Sequence, residues 1–200
     1  MRVGLVFLIV VAIVGTAWLL GQREGFGDIG QGGINADLLP KVGEPAPEFV
    51  TMDLNGQVIR LSDFKGQPVW LNFWGSWCPP CRSEFPEIEA AYKTLQPQGL
   101  VMLGVAIREN PYVALDYANR VGGTFPIVAD PAGLETYLPD QVKPEFRKMI
   151  ASYTINNYPT HIFIDRDGIV RSVVISPMSY EMAVAYGEGI LGPVSATPPT

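Results

Sequence analysis

The sequence predicts an α/β domain: a mixed central sheet flanked by helices, with a β-hairpin extension before it and one apolar span at the N-terminus. Three observations carry this expectation. The stretch Val69-Trp70-Leu71-Asn72-Phe73-Trp74 is almost continuously apolar, as a strand covered on both faces has to be. Strand-like and helix-like runs then alternate, at Leu100 to Ile107, Pro111 to Val121 and Pro126 to Ala129, which implies crossover connections and a largely parallel core. Finally, 48% of the 200 residues are apolar, ample for one compact core.

From Val3 to Leu20 the chain carries no charge. As a helix this span would measure roughly 27 Å, close to the hydrocarbon thickness of a bilayer. Residues 1–21 therefore read as a transmembrane anchor or a signal peptide. An uncleaved anchor is favoured, because the small residues Gly15-Thr16-Ala17 are still followed by Trp18-Leu19-Leu20. Arg2 before the span places the N-terminus in the cytoplasm and the rest of the chain outside. Residues 22–40 read as a flexible tether, with glycines at 25, 27, 30, 32 and 33. Residues 41–191 form the globular domain, and 192–200, with three prolines, a disordered tail.

Within the domain, Pro40 to Pro47 punctuates the start. Glu48 to Asp53 and Gln57 to Leu61 flank Asn55-Gly56, the signature of a hairpin. Ser62-Asp63-Phe64 opens a short helical turn closed by Gly66, and the central strand 69–74 follows. A helix from Pro79 to about Leu95 presents Phe85, Ile88, Ala91, Tyr92 and Leu95 on one stripe, with a kink expected at Pro86. Leu138 to Met149 is charged and proline-interrupted, a helical insertion with no evident packing face. Ile162 to Asp165 reads as a strand, Arg166-Asp167-Gly168 as a tight turn, Ile169 to Ile175 as the antiparallel return, and Tyr180 to Ile190 as the last helix.

A net charge of −6 and a pI near 4.8 repel phosphate backbones and exclude nucleic-acid binding. The chemistry points instead to the two cysteines, Cys78 and Cys81, in Trp77-Cys78-Pro79-Pro80-Cys81. The loop they close is too short to stabilise a fold. Zinc wants about four ligands, and beyond this pair the chain offers one histidine and no further cysteine. A redox dithiol remains, with no metal and no cofactor besides its own disulfide. Cys78 sits where a strand gives way to a helix, so helix dipole and free backbone donors favour its thiolate and make it the attacking sulfur. Cys81, one turn inside, is the more shielded and suits the resolving role.

Phe73-Trp74-Gly75-Ser76-Trp77-Cys78-Pro79-Pro80-Cys81 followed by Glu84-Phe85-Pro86 resembles the thioredoxin superfamily, and more closely the membrane-anchored TlpA/ResA-type thiol-disulfide oxidoreductases. Val42 to Phe49 and Leu61 to Gly66 extend the resemblance, which covers about Val42 to Leu191. It implies a thioredoxin-like fold, and a cis Pro159 facing the two sulfurs with Tyr158 pairing to a client's main chain. Asn72 stands where cytoplasmic thioredoxins carry a buried aspartate. Asn72 cannot titrate, which leaves Glu84, one turn beyond Cys81, as the acid or base; the plainer reading places Glu84, Glu87 and Glu89 on a solvated helix face. Trp74 reads as packing and Trp77 as substrate contact. His161, the sole histidine, reads as a strand residue with a local hydrogen bond, a proton or ligand role staying open.

By the same resemblance, the partners are a transmembrane thiol electron donor and an oxidised protein client, such as the Cys-X-X-Cys-His segment of an apocytochrome c. The alternatives are a thioredoxin-fold copper chaperone using both cysteines and His161, and a dithiol oxidase. Peroxidase chemistry is disfavoured, since Leu71 and Gly75 stand where peroxiredoxins carry proline and threonine.

Overall fold

The computed structural model describes residues 39–130, 134 and 138–192. The apolar span, nearly all of the glycine-rich tether and residues 193–200 lie outside these. Among the described residues no helix is long and apolar enough to cross a membrane.

The chain begins with the expected hairpin, shorter than its sequence pattern. Strands β1 (Val50–Met52) and β2 (Val58–Arg60) pair antiparallel, with Val50 opposite Arg60. Gly56 turns at φ +80°, a conformation open to glycine at no steric penalty. The Asp53 carboxylate accepts from the Asn55 and Gln57 N–H groups at 2.9 and 2.8 Å, fixing the loop. A short 3-10 turn, Leu61–Phe64, leads on. There follow β3 (Val69–Trp74), α1 (Pro79–Leu95), β4 (Val101–Ala106), α2 (Pro111–Arg120), β5 (Ile127–Ala129), α3 (Lys143–Ser152), β6 (Thr160–Ile164), β7 (Val170–Val174) and α4 (Tyr180–Glu188).

The main sheet has the order β5-β4-β3-β6-β7. β3, β4 and β5 run parallel, as crossover helices require, whereas β6 and β7 are antiparallel additions on the other edge of β3. The sheet is thus mixed. The lead-in segment lies beside β7, where Gly43 N–H donates to Val170 O at 2.8 Å and Val170 N–H to Glu44 O at 3.0 Å.

The pleat of β3 sends successive side chains to opposite faces. Trp70 and Trp74 join Cys78, Cys81, Phe85 and Phe125 in one core layer. Val69, Leu71 and Phe73 join Phe49, Leu103 and Phe146 in the other. Helices α1, α2 and α4 contribute to the first layer; the hairpin and α3 cover the second. Thr51 Oγ1 donates to Ala129 O at 2.7 Å and ties the hairpin down within that layer.

The stretch read as a helical insertion is a core element. Leu138, Val142, Phe146 and Met149 recur at helical spacing and are all buried, so the charges that dominate its sequence occupy the outer side. Tyr153, just past α3, donates its hydroxyl to Pro47 O at 2.7 Å. Burial pushes that phenol well above its ordinary pKa. Phe146→Ala should lower unfolding stability by about 3–5 kcal/mol, the range for emptying a buried aromatic site. Denaturant midpoints measure this; a loss below about 1 kcal/mol would make α3 a surface appendage.

Candidate active site

Cys78 is the N-cap of α1, with extended backbone (φ −89°, ψ 110°), and Pro79 follows at the first helical position, where no donor is lost. The Cys81 N–H donates to Cys78 Sγ at 3.3 Å, one of the free donors that a helix start supplies. The two cysteines form a disulfide with Cα atoms 5.3 Å apart. Both are buried, Cys81 at 1% exposed and Cys78 at 3%.

The turn that delivers Cys78 is clamped from β4's side. Glu109 takes the Ser76 N–H at 2.7 Å and the Ser76 hydroxyl at 2.5 Å, one on each carboxylate oxygen. The Trp77 indole N–H donates to Ile107 O at 2.9 Å. Gly75 is required here, since any Cβ would run into the Trp77 ring. Glu109 had no signal in sequence: it lies 33 residues from Ser76, and only the parallel register of β3 on β4, ending at Trp74 opposite Ala106, brings it there.

The Tyr158–Pro159 peptide is cis, as the resemblance implied. Phe73 pairs with Thr160, so Pro159 stands at the carboxyl end of β3, the end that leads to Cys78. Tyr158 meets Trp77 edge-on, with ring centroids 5.7 Å apart, and the Arg108 guanidinium lies 5.6 Å from its ring centre. Its hydroxyl donates to Ile155 O at 2.9 Å. Burial holds that phenol above its ordinary pKa, with Arg108 pulling the other way. Arg108 itself takes φ +55°, the one positive value outside glycine among the described residues, and its N–H donates to Asp130 at 2.6 Å. Beside Tyr158 opens a cavity of about 230 Å³, whose lining includes Phe73, Ile107, Arg108, Met149 and Tyr153. Trp77 remains 46% exposed, consistent with a contact surface, whereas Trp74 is buried as packing.

Behind the cysteines the solvated-face reading holds for Glu87 and fails for Glu84 and Glu89. Glu84 is 2% exposed, and its Oε2 accepts the Met178 N–H at 3.0 Å and lies 3.2 Å from His161 Nε2. Glu89 is also buried, accepting the Thr124 N–H and hydroxyl at 2.8 and 2.6 Å and pairing with Lys93 at 3.0 Å. Glu87 is exposed and accepts the Tyr180 N–H at 3.0 Å. Glu84 and Glu89 lie on the buried side of α1, with Cys81, Phe85, Ile88 and Tyr92, whereas Glu87 shares the exposed side with Ser83 and Ala90. His161 is a strand residue as expected, in β6 and wholly buried, but its hydrogen bonds are not local: Glu84 and Trp70 are 77 and 91 residues away. Among the described residues, the buried side-chain polar atoms without a hydrogen-bond partner are Asn72 Nδ2 and Oδ1, Trp74 Nε1 and Glu84 Oε1. Asn72 and His161 are paired across β3 and β6, and Trp74 shares Asn72's face of β3.

A helix-capped sulfur, a second sulfur bonded to it, a cis-proline at the same sheet end and a buried carboxyl one turn on suit dithiol chemistry on a polypeptide. Fold and site together define a thioredoxin-like thiol-disulfide oxidoreductase. A model of the AhpC/TSA family matches residues 42–173. The chain is similar to the thiol-disulfide oxidoreductase ResA of Geobacillus kaustophilus, 38% identical over 140 residues covering 70% of this chain and 72% of the relative. It is 35% identical to ResA of Bacillus subtilis over 144 residues, covering 72% and 73% respectively. Among solved structures it resembles a thiol:disulfide interchange protein of the thioredoxin family from Chlorobium tepidum, with TM-score 0.57, 26% identity, and coverage of 74% of this chain and 96% of that one. The chain therefore belongs to the AhpC/TSA family and, within it, groups with the ResA thiol-disulfide oxidoreductases.

Glu109→Ala should free the turn before Cys78, raising amide exchange at Ser76 roughly tenfold and lowering stability by about 1–2 kcal/mol. Unchanged exchange at Ser76 would show that the turn holds without the clamp.

Proposed function

We propose that this oxidoreductase works outside the cytoplasmic membrane, tethered by residues 1–21, and reduces a disulfide in a specific protein client. Its electrons come from a transmembrane thiol carrier, and the client class is the Cys-X-X-Cys-His haem-attachment segment of an apocytochrome c. Such a pair has to be reduced before haem is joined, in a compartment that oxidises thiols.

The observation that carries the mechanism is the helix-capped Cys78 sulfur with a buried carboxyl, Glu84, one turn beyond Cys81. In the reduced protein the Cys78 thiolate attacks one sulfur of the client disulfide, forming a mixed disulfide and releasing the other sulfur as a thiolate. Cys81 then gives its proton to Glu84 and attacks Cys78 Sγ. The Cys78–Cys81 bond closes, the mixed bond breaks, and the client leaves with both sulfurs reduced. Two electrons have moved from protein to client, and the client thiolates take up protons from Glu84 and water. Pro159 leaves the Tyr158 backbone open to the client's main chain, while Trp77 and Tyr158 offer an aromatic rim.

The copper reading loses its third ligand, because both His161 ring nitrogens are engaged inside the core. A dithiol oxidase would use the same groups in reverse, so the potential discriminates. The Cys78/Cys81 couple is expected well below about −200 mV, nearer thioredoxin than DsbA; a value near −120 mV would reverse the direction. Cys81→Ser should trap the client as a mixed disulfide on Cys78, and Cys78→Ser should capture nothing. Glu84→Gln should slow the resolving step about a hundredfold near neutral pH; an unchanged rate would remove Glu84 from the mechanism.

A further inference from the structure

His161 is the second residue of β6 and has no exposed surface, an expensive place for an imidazole unless both nitrogens are satisfied. They are, and the partners settle its tautomer. The Trp70 indole can only donate, and its Nε1–H points at His161 Nδ1 at 3.3 Å. Nδ1 is therefore the acceptor, and the ring's proton resides on Nε2. That Nε2–H donates to Glu84 Oε2 at 3.2 Å, and the Met178 N–H donates to the same oxygen at 3.0 Å.

Two donors on Oε2 leave Oε1 as the carboxyl oxygen without a partner. Glu84 follows Cys81 by three positions on α1, so both lie on one helix face, and both are buried. We propose that His161 is a positioning residue for the thiol-disulfide reaction: locked by Trp70 as an Nε2–H donor, it pins Glu84 Oε2 and reserves Oε1 for exchanging a proton with the Cys81 thiol. The proposal rests on the acid-base role of Glu84 given above. Nothing is transferred through His161; its proton stays on Nε2 throughout the cycle. Among the described residues, Glu84 is hydrogen-bonded to His161 from β6 and to the Met178 N–H from the segment before α4, and Cys81 lies one turn back on α1.

The test is single-turnover reduction of an aryl disulfide by the reduced full-length chain. Release of the second aryl thiolate reports the resolving attack of Cys81 across a range of pH. Removing a donor from a carboxylate disfavours its ionised form, so the rising limb of that rate should move to higher pH in His161→Leu, by about one unit. His161→Gln, which restores an N–H donor, should bring the limb back towards the parent. Trp70→Phe, which releases the tautomer, should move it part of the way. In a Glu84→Gln background, His161→Leu should add no further shift. If Glu84→Gln changes the profile but His161→Leu and Trp70→Phe leave it at the parent position, the inference is overturned and the Glu84 role stands. If Glu84→Gln itself leaves the profile unchanged, the acid-base reading fails and takes the inference with it. Should His161→Leu not fold, Trp70→Phe alone decides: a displaced limb supports the lock and an unmoved one overturns it.

Discussion

Strand β3 is hydrogen-bonded along both edges, to β4 in parallel and to β6 in antiparallel register, and the site depends on that double pairing. A strand paired on both sides cannot slip by one residue without turning Trp70, Asn72 and Trp74 out of one core layer and Leu71 and Phe73 out of the other. With the register held, three distant features arrive at one end of the sheet. The Cys78 turn leaves β3, Ile107 and Glu109 leave β4, and Pro159 enters β6 there. Hydrogen bonds from Ser76 and Trp77 to β4's loop then convert a flexible strand-to-helix junction into a fixed mount for a sulfur.

The second organising fact is that the layer beneath the disulfide is not uniformly apolar. Asn72, Glu84 and His161 are buried within a layer built from Trp70, Trp74, Phe85 and Phe163. In surroundings of low polarity each hydrogen bond counts for more than in water, and each missing one is more costly. Glu84 has two donors on one oxygen and none on the other. That imbalance is costly for stability, because a buried polar atom without a partner gives up its hydration with nothing in return. Asn72 in place of a titratable group leaves Glu84 as the one carboxyl among these three residues.

On the opposite face, α3 and the hairpin bury Phe49, Phe146 and Tyr153 against the sheet, and the cavity beside Tyr158 lies at their border. The Trp77–Tyr158 aromatic pair thus borders a layer that α3, read in sequence as an insertion, helps to build. Tyr158 is held between Trp77 and Arg108, so the residue ahead of the cis-proline is rigid on both sides.

Much of this was legible in the residues themselves. The continuous apolar run of β3, the Asn55-Gly56 hairpin, the stripe on α1 and the Cys78-Cys81 spacing each encode a local conformation, and local periodicity and turn chemistry act over a few residues. The resemblance carried Pro159 as well. What stayed hidden were the encounters between residues far apart in the chain: Glu109 with Ser76, Arg108 with Tyr158, and Glu84 with His161 and Trp70. α1 looked solvated along Glu84, Glu87 and Glu89 because carboxylates are normally exposed, yet Met178 and Thr124 meet two of them inside the fold. The sequence alone determined which sulfurs react and which elements carry them, because those are properties of spacing and propensity. Only the tertiary structure decided which carboxyl is buried and which imidazole nitrogen holds the proton, because burial and hydrogen-bond partners are set by strand register and helix docking.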